Sequence, residues 1–411
     1  MSDSEPRSNP LALGLALAAF TVCFFAWSMF GPLGPTLQTH LHLSDFQLAF
    51  LVAIPVVLGS LMRIPIGILT GRYGGRIVFT LLMAYSVIPL VLLGLFHNSF
   101  AVMVALGFLL GVTGASFAVG VPFVSRWYHK ERQGFALGVY GIGMGGTVVA
   151  ALSAPRLAKH WGLATPFWVG AVLMAVMAVV FWTCARDAPS EETSRPQRLS
   201  FTAPLAVFRH STRAWALTLF YFLAFGGFVA MFLYLPKLLT GVYDLSKTDA
   251  GYRAAGFAFL AVVARPVGGW LSDRIGAERV LRISFTGTLA LAGALAVAYK
   301  HMVPLTVCCL AVAVALGLGT GAVFKLVPNW FPDEVGAVTG VVGAAGGLGG
   351  FFPPLVMAVV KGITGSYALG FVLLAGVAVV CLIVLQSFAK PRRGTVNASQ
   401  LRQTGQPVTP P

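Results

Sequence analysis

From about residue 11 to residue 389 the chain runs as long apolar stretches parted by short polar breaks. The breaks fall at roughly 37 to 44, 71 to 76, 97, 129 to 132, 160 to 163, 186 to 212, 240 to 248, 273 to 279, 300, 331 to 335 and 362. A helix rising 1.5 Å per residue needs about 20 residues to cross a hydrocarbon core of about 30 Å. The breaks therefore delimit twelve spanning helices. A closed β-barrel would need short segments alternating apolar with polar, and these runs are apolar all round, so the predicted class is an all-α integral membrane protein. The first run, beginning near Leu11, is too long for a cleavable signal and lacks a cationic start, so it reads as an uncleaved span. The longest break is central and carries Pro189, Pro196 and Pro204. It predicts a solvated linker at 186–212 between six-helix bundles at 11–185 and 213–389, with polar tails at 1–10 and 390–411.

Composition sharpens the picture. Hydrophobic residues make up 57% and charged residues 10% of the chain, with a mean hydropathy of +0.84, whereas soluble domains carry roughly a quarter charged residues. A net charge of +15 would suit nucleic acid if it formed a soluble patch, but the basic residues sit at helix ends. The partner they imply is a lipid bilayer, not nucleic acid. With the N-terminus inside, lysine and arginine concentrate on the cytoplasmic side, which predicts both termini in the cytoplasm and an inner-membrane location. A monomer is expected. The five cysteines fall almost entirely within apolar runs without CxxC spacing, so no disulfide framework, metal site or cofactor is expected.

An internal repeat supports the two bundles. Arg63-Ile-Pro-Ile-Gly67-Ile-Leu69-Thr-Gly71-Arg72-Tyr-Gly74 aligns without gaps on Arg265-Pro-Val-Gly-Gly269-Trp-Leu271-Ser-Asp273-Arg274-Ile-Gly276. A weaker repeat relates Gly114-Ala115-Ser116-Phe117 to Gly321-Ala322-Val323-Phe324. Duplicated halves meeting at a central site are the plan of a transporter. On these motifs the chain resembles the major facilitator superfamily, whose loop signature after the second helix is similar to Gly67 through Arg76, with Gly71 where an aspartate is usual and Asp273 kept in the second copy. The resemblance implies two pseudo-symmetric bundles that rock about a central site, with Arg72, Asp273 and Arg274 among the gating charges.

Three cations lie within the apolar runs: Arg63, Arg265 and Lys325. Each arginine at a helix centre costs roughly 2.5 to 3.5 kcal/mol to insert, and both sit roughly 12 Å inside the basic end of their helix. The thirteen acidic residues all read as lying in tails or at loops, so no internal salt bridge is expected. The missing negative charge must then come from the cargo. One guanidinium from each half, related by the repeat, would grip a small anion from both sides. Lys325 is the candidate for proton coupling, since a desolvated lysine can lose its proton. The histidines, His40, His42, His97, His129, His160, His210 and His301, fall at loops or helix ends and do not compete for that role.

Around this pair the chain is similar to the nitrate/nitrite porter family, on Gly111-Val-Thr-Gly114-Ala115-Ser116-Phe117-Ala-Val-Gly120 and Gly317-Leu-Gly319-Thr-Gly321-Ala322-Val323-Phe324-Lys325, each followed by a glycine-rich helix. The resemblance implies that Arg63 and Arg265 bind nitrate oxygens, that Tyr221 donates a hydrogen bond, and that Phe117 and Phe225 sandwich the planar anion. Met144 stands where the family commonly has asparagine. The glycine runs, including Gly143, Gly145, Gly346 and Gly349, would let backbones approach and slide as the halves rock. Gly141 to Gly146 formally matches GxGxxG, but it lies in a membrane span with no strand before it, which excludes a dinucleotide site. The expected function is nitrate or nitrite transport by alternating access. Proton symport is favoured over nitrate/nitrite exchange, and a small carboxylate such as formate or oxalate is the alternative cargo. An enzyme is excluded for want of any nucleophile, metal-ligand or paired-carboxylate pattern.

Overall fold

A computed structural model of the chain describes residues 9–128, 130–188, 208–209, 211–331 and 335–389. The expectations for most of the N-terminal tail, for the C-terminal tail and for the linker prolines lie outside these residues. Among the described residues there is no strand, and eleven helices are long and apolar enough to span a membrane, with a bent pair supplying the twelfth. In the first half they are α1 (Pro10–Leu41), α2 (Asp45–Leu61 and Arg63–Tyr73), α3 (Gly75–Leu95), α4 (Phe100–Ser125), α5 (Ala136–Trp161) and α6 (Thr165–Cys184). The second half has α7 (Thr212–Tyr243), α8 (Lys247–Ile275), α9 (Ala277–Ala298), α10 (Met302–Val327), α11 (Val338–Thr364) and α12 (Ala368–Phe388). The all-α, twelve-span architecture expected from hydropathy is borne out.

Several breaks are shorter than hydropathy suggests, because polar caps carry helices past the apolar run. The break expected at 240 to 248 contracts to Asp244, Leu245 and Ser246, where Asp244 ends α7 in the left-handed region and the Ser246 hydroxyl accepts from the Asp249 amide at 3.1 Å. Ser44 and Gln47 form a reciprocal capping box at the start of α2, with bonds of 3.2 and 2.9 Å. Asp45, Asp249, Asp273 and Glu278, expected at loops, lie within α2, α8 and α9, because the caps extend these helices. Asp45 and Asp273 have lysine partners.

The repeat is visible in the backbone. Gly74 and Gly276, matched in sequence, end α2 and α8 at φ of 84° and 90°, a conformation that glycine adopts without strain. Behind Gly74, the Asp187 carboxylate accepts from the amides of Gly75 at 2.7 Å and Arg76 at 3.1 Å, capping the start of α3 from the end of α6. Arg76 donates back to the Trp182 carbonyl at 2.9 Å. Across the halves, α2 packs along α11 and α5 along α8, an exchange of partners that the pseudo-twofold relation requires. The matched arginines sit on these two crossings.

Candidate functional site

Arg63 opens the second piece of α2, just after a bend of 40° at Met62. Arg265 sits within the unbroken α8, immediately before Pro266. Both are buried, at 2% and 8% exposure. Arg63 Nε donates to the Gly114 carbonyl of α4 at 3.3 Å, and its Nη1 donates to the Gly343 carbonyl on α11 of the other half. Arg265 Nη1 reaches the Met144 thioether on α5 of the other half. Each guanidinium thus leans across to the glycine-rich helix of the opposite bundle.

Among the described residues neither meets a carboxylate: the ion pairs there are Asp45 with Lys237, Asp45 with Lys361, and Asp273 with Lys325. Tyr221 links the two guanidiniums through neighbouring rings, touching both Phe225, which faces Arg63, and Phe324, which faces Arg265. Guanidinium carries five N–H donors and thioether sulfur accepts weakly, so most of the capacity of Arg265 is open to a ligand. A buried like-charged pair of this kind is stabilised by an anion placed between its members.

Aromatic rings wall the site. Phe225 faces Arg63 with its ring centre 5.1 Å from Cζ, while Phe117 and Phe324 face Arg265 at 4.9 and 5.8 Å. Tyr221 stacks on Phe225 at 5.2 Å with the planes 3° apart, and meets Phe324 edge-on at 4.8 Å. Phe117 and Phe324 lie 5.3 Å apart. Behind Phe117, Tyr140 stacks on Phe20 at 4.7 Å and donates to the Ser116 carbonyl at 3.0 Å. The structure brings together all five residues expected to bind substrate: Arg63, Arg265, Tyr221, Phe117 and Phe225. It adds Phe324 and the carbonyls of Gly114 and Gly343, and it sets Met144, noted in the sequence in place of the family's asparagine, against Arg265. Phe324 carried a signal, because it is the repeat partner of Phe117; the carbonyls carried none.

Regular α-helix fails where helices line the site. Residues Gly111–Ala115 of α4 and Ile142–Gly145 of α5 tighten into 3-10 turns, and Phe222–Gly226 of α7 widens into a π turn. Irregular backbone at membrane depth is tolerated only where protein or a cavity surrounds it, and π turns concentrate at functional sites. The glycines expected to permit motion have unequal surroundings. Gly346 lies under the Tyr221 ring, Gly349 against the Gly226 backbone and Gly143 against Phe20, while Gly145 faces open space.

The proton-coupling candidate Lys325 and the gating charges Arg72, Asp273 and Arg274 have partners other than the two buried arginines. Lys325 is not an unpartnered amine: it pairs with Asp273 of α8, and both side chains are about half exposed, at 43% and 53%. This pair lies within the second half, so Asp273 does not bridge the bundles. Arg72 and Arg274 lie over the rings of Tyr73 at 5.3 Å and Trp270 at 4.2 Å.

Comparison with known proteins adds the context. The profile of the Major Facilitator Superfamily matches residues 16–256 and again 238–410. The chain is 42% identical over 381 residues to the probable nitrate/nitrite transporter NarK2 of Mycobacterium tuberculosis, covering 91% of this chain and 95% of that protein. It is 36% identical to the nitrite extrusion protein of Bacillus subtilis, covering 91% and 93%, and 36% identical to the probable nitrate/nitrite antiporter NarK1 of Thermus thermophilus, covering 90% of each. Among solved structures it superposes on the human organic anion transporter MFSD10 (TETRAN) with a TM-score of 0.75 at 17% identity, covering 92% of this chain and all of that one. A bacterial homolog of the human lysosomal transporter Spinster gives a TM-score of 0.69 at 19% identity, over 94% and 96% of the two chains.

Proposed function

The chain belongs to the nitrate/nitrite porter family of the major facilitator superfamily, a family of transporters and not enzymes, and on that premise we propose that it imports nitrate by alternating access across a bacterial inner membrane, both termini being cytoplasmic. One observation carries the reading: two buried guanidiniums, one from each half, with no carboxylate on either among the described residues. A planar trigonal oxyanion offers two oxygens to each fork, and the rings of Phe117, Phe225 and Phe324 enclose its faces. Tyr221, beside both arginines, supplies a hydroxyl donor. Binding draws the halves together because each guanidinium already leans on the opposite bundle; the halves then part at the other end and release the anion.

The energetics follow from fixed charge. Guanidinium stays protonated across the physiological range, so the two positive charges cross most readily with an anion between them. This favours exchange, nitrite outward for nitrate inward. Proton symport is the second reading, and the observation behind it is the Asp273–Lys325 ion pair, which joins α8 to α10. Purified protein in liposomes separates them. Labelled nitrate uptake is expected to require internal nitrite and to survive Lys325→Gln. Uptake driven by an inward proton gradient without internal anion, and lost in Lys325→Gln, would establish symport instead. Excess formate or oxalate is expected to leave nitrate uptake intact, and a block by either would replace nitrate with a carboxylate as the cargo.

A further inference from the structure

The end of the molecule bearing the α1–α2 turn, placed outside in the orientation above, is bolted by charge. Asp45 Oδ1 meets Lys237 Nζ at 3.1 Å and Oδ2 meets Lys361 Nζ at 2.8 Å. Gln38 supports both sides, donating to Asp45 Oδ1 at 2.9 Å and accepting from Lys237 Nζ at 2.6 Å. Lys247 Nζ donates to Thr39 Oγ1 at 3.0 Å, and Lys361 Nζ lies 5.0 Å over the ring of Tyr367. Every ammonium comes from the second half, on α7, α8 and α11, and every acceptor from the first, on α1 and α2. The cluster is half-closed to solvent: side-chain exposure is 17% for Lys237, 23% for Lys361 and 35% for Asp45. Beneath it a cavity of about 10 Å³ is lined by Ala49, Tyr234 and Lys237 among others, and the Tyr234 hydroxyl is buried without a hydrogen-bond partner.

Two features set this cluster apart from an ordinary salt bridge. It holds two ammonium groups for one carboxylate, and the carboxylate presents a planar, singly charged pair of oxygens, the same edge that nitrate or nitrite presents. Parting the halves at this end must pull Lys237 and Lys361 away from Asp45, and Lys247 away from Thr39, together. We propose that Lys237 and Lys361 form a capture site for small planar oxyanions at the outer mouth, and that the Asp45 carboxylate is its built-in occupant while the mouth is shut. An incoming anion is drawn to the ammonium cluster by focused charge and takes the place that Asp45 leaves. Asp45 competes to re-form the closure once the anion has passed inward to Arg63 and Arg265. The inference rests on the nitrate reading above, and it adds a second station for the same cargo.

The test is labelled nitrate uptake by the full chain in liposomes loaded with nitrite, with KM and kcat for external nitrate measured separately at two ionic strengths. Removing the competitor with Asp45→Asn is expected to lower the outer KM several-fold. Removing the cations with Lys237→Gln plus Lys361→Gln is expected to raise it several-fold and to flatten its salt dependence, and Lys237→Arg plus Lys361→Arg to restore it. A cluster that only latches the halves would move both variants in the same direction, since either one unbolts the mouth; KM shifts of equal sign, or an unaltered salt dependence, would overturn the proposal. An introduced cysteine, Ala49→Cys, reports opening independently of nitrate. In a background free of native cysteines, an impermeant thiol reagent should label it faster from outside when Asp45→Asn is added. Unchanged labelling overturns the closure, whereas absence of nitrate uptake by the unaltered protein overturns the central reading first.

Discussion

Arg63→Lys and Arg265→Lys are each expected to lower nitrate uptake by about 10- to 100-fold while leaving the protein folded. Loss of one charge-assisted hydrogen bond costs roughly 1.5 to 3 kcal/mol, and each 1.4 kcal/mol is about a factor of ten. Lysine keeps the charge, so the loss isolates shape. Arg63 spans the Gly114 carbonyl on one helix and the Gly343 carbonyl on another, with its Cζ 5.1 Å from the centre of the Phe225 ring. An ammonium on a flexible stem is a point donor that can satisfy one of these positions but cannot also turn an edge to an anion. The repeat makes a second demand: the two variants should fail to a similar degree, because each arginine plays the same part for its half. Initial rates of labelled nitrate uptake in liposomes measure both outcomes. Full retention of uptake in either variant would mean that charge alone holds the anion, and a large asymmetry would mean that one arginine does not touch it.

How much of this was legible beforehand depends on what leaves a trace in hydropathy. The twelve spans were readable because membrane thickness imposes a length and an apolarity on every one of them. Arg63 and Arg265 were readable because an arginine inside such a run is costly and these two fall at matched positions of the repeat. Phe324 was within reach, since its partner Phe117 had been singled out. The turns at 111–115, 142–145 and 222–226 were not, because shifting a helical hydrogen bond by one residue changes no side chain. Nor was the pairing of Asp45 with Lys237 and Lys361. Polar residues at helix ends read as interface anchors, and only the folded topology carries α2, α7 and α11 to one corner. Lys325 misled for the complementary reason, its burial having been judged from the apolar run around it, whereas Asp273 on a different helix meets it at the half-exposed end.

Gly346→Ala is expected to cost about as much transport as losing an arginine, through a residue that touches no anion. A methyl at that position would fall well inside contact with the ring carbons of Tyr221, and overpacking of a filled site costs roughly 1 to 3 kcal/mol. Tyr221 has little room to yield, being stacked flat on Phe225 at 5.2 Å and held edge-on by Phe324 at 4.8 Å. The ring must tilt or α11 must shift outward. A tilted ring takes its hydroxyl away from the guanidiniums, and a shifted α11 takes the Gly343 carbonyl away from Arg63. A double-mutant cycle distinguishes seating of the ring from any other use of the glycine. With Tyr221→Ala already in place the methyl has space, so adding Gly346→Ala should cost almost nothing more in uptake or in thermal stability. If the two losses simply added, the glycine would be needed for something other than Tyr221, such as sliding of α11 against its neighbours, and the tyrosine's place between the arginines would not depend on it.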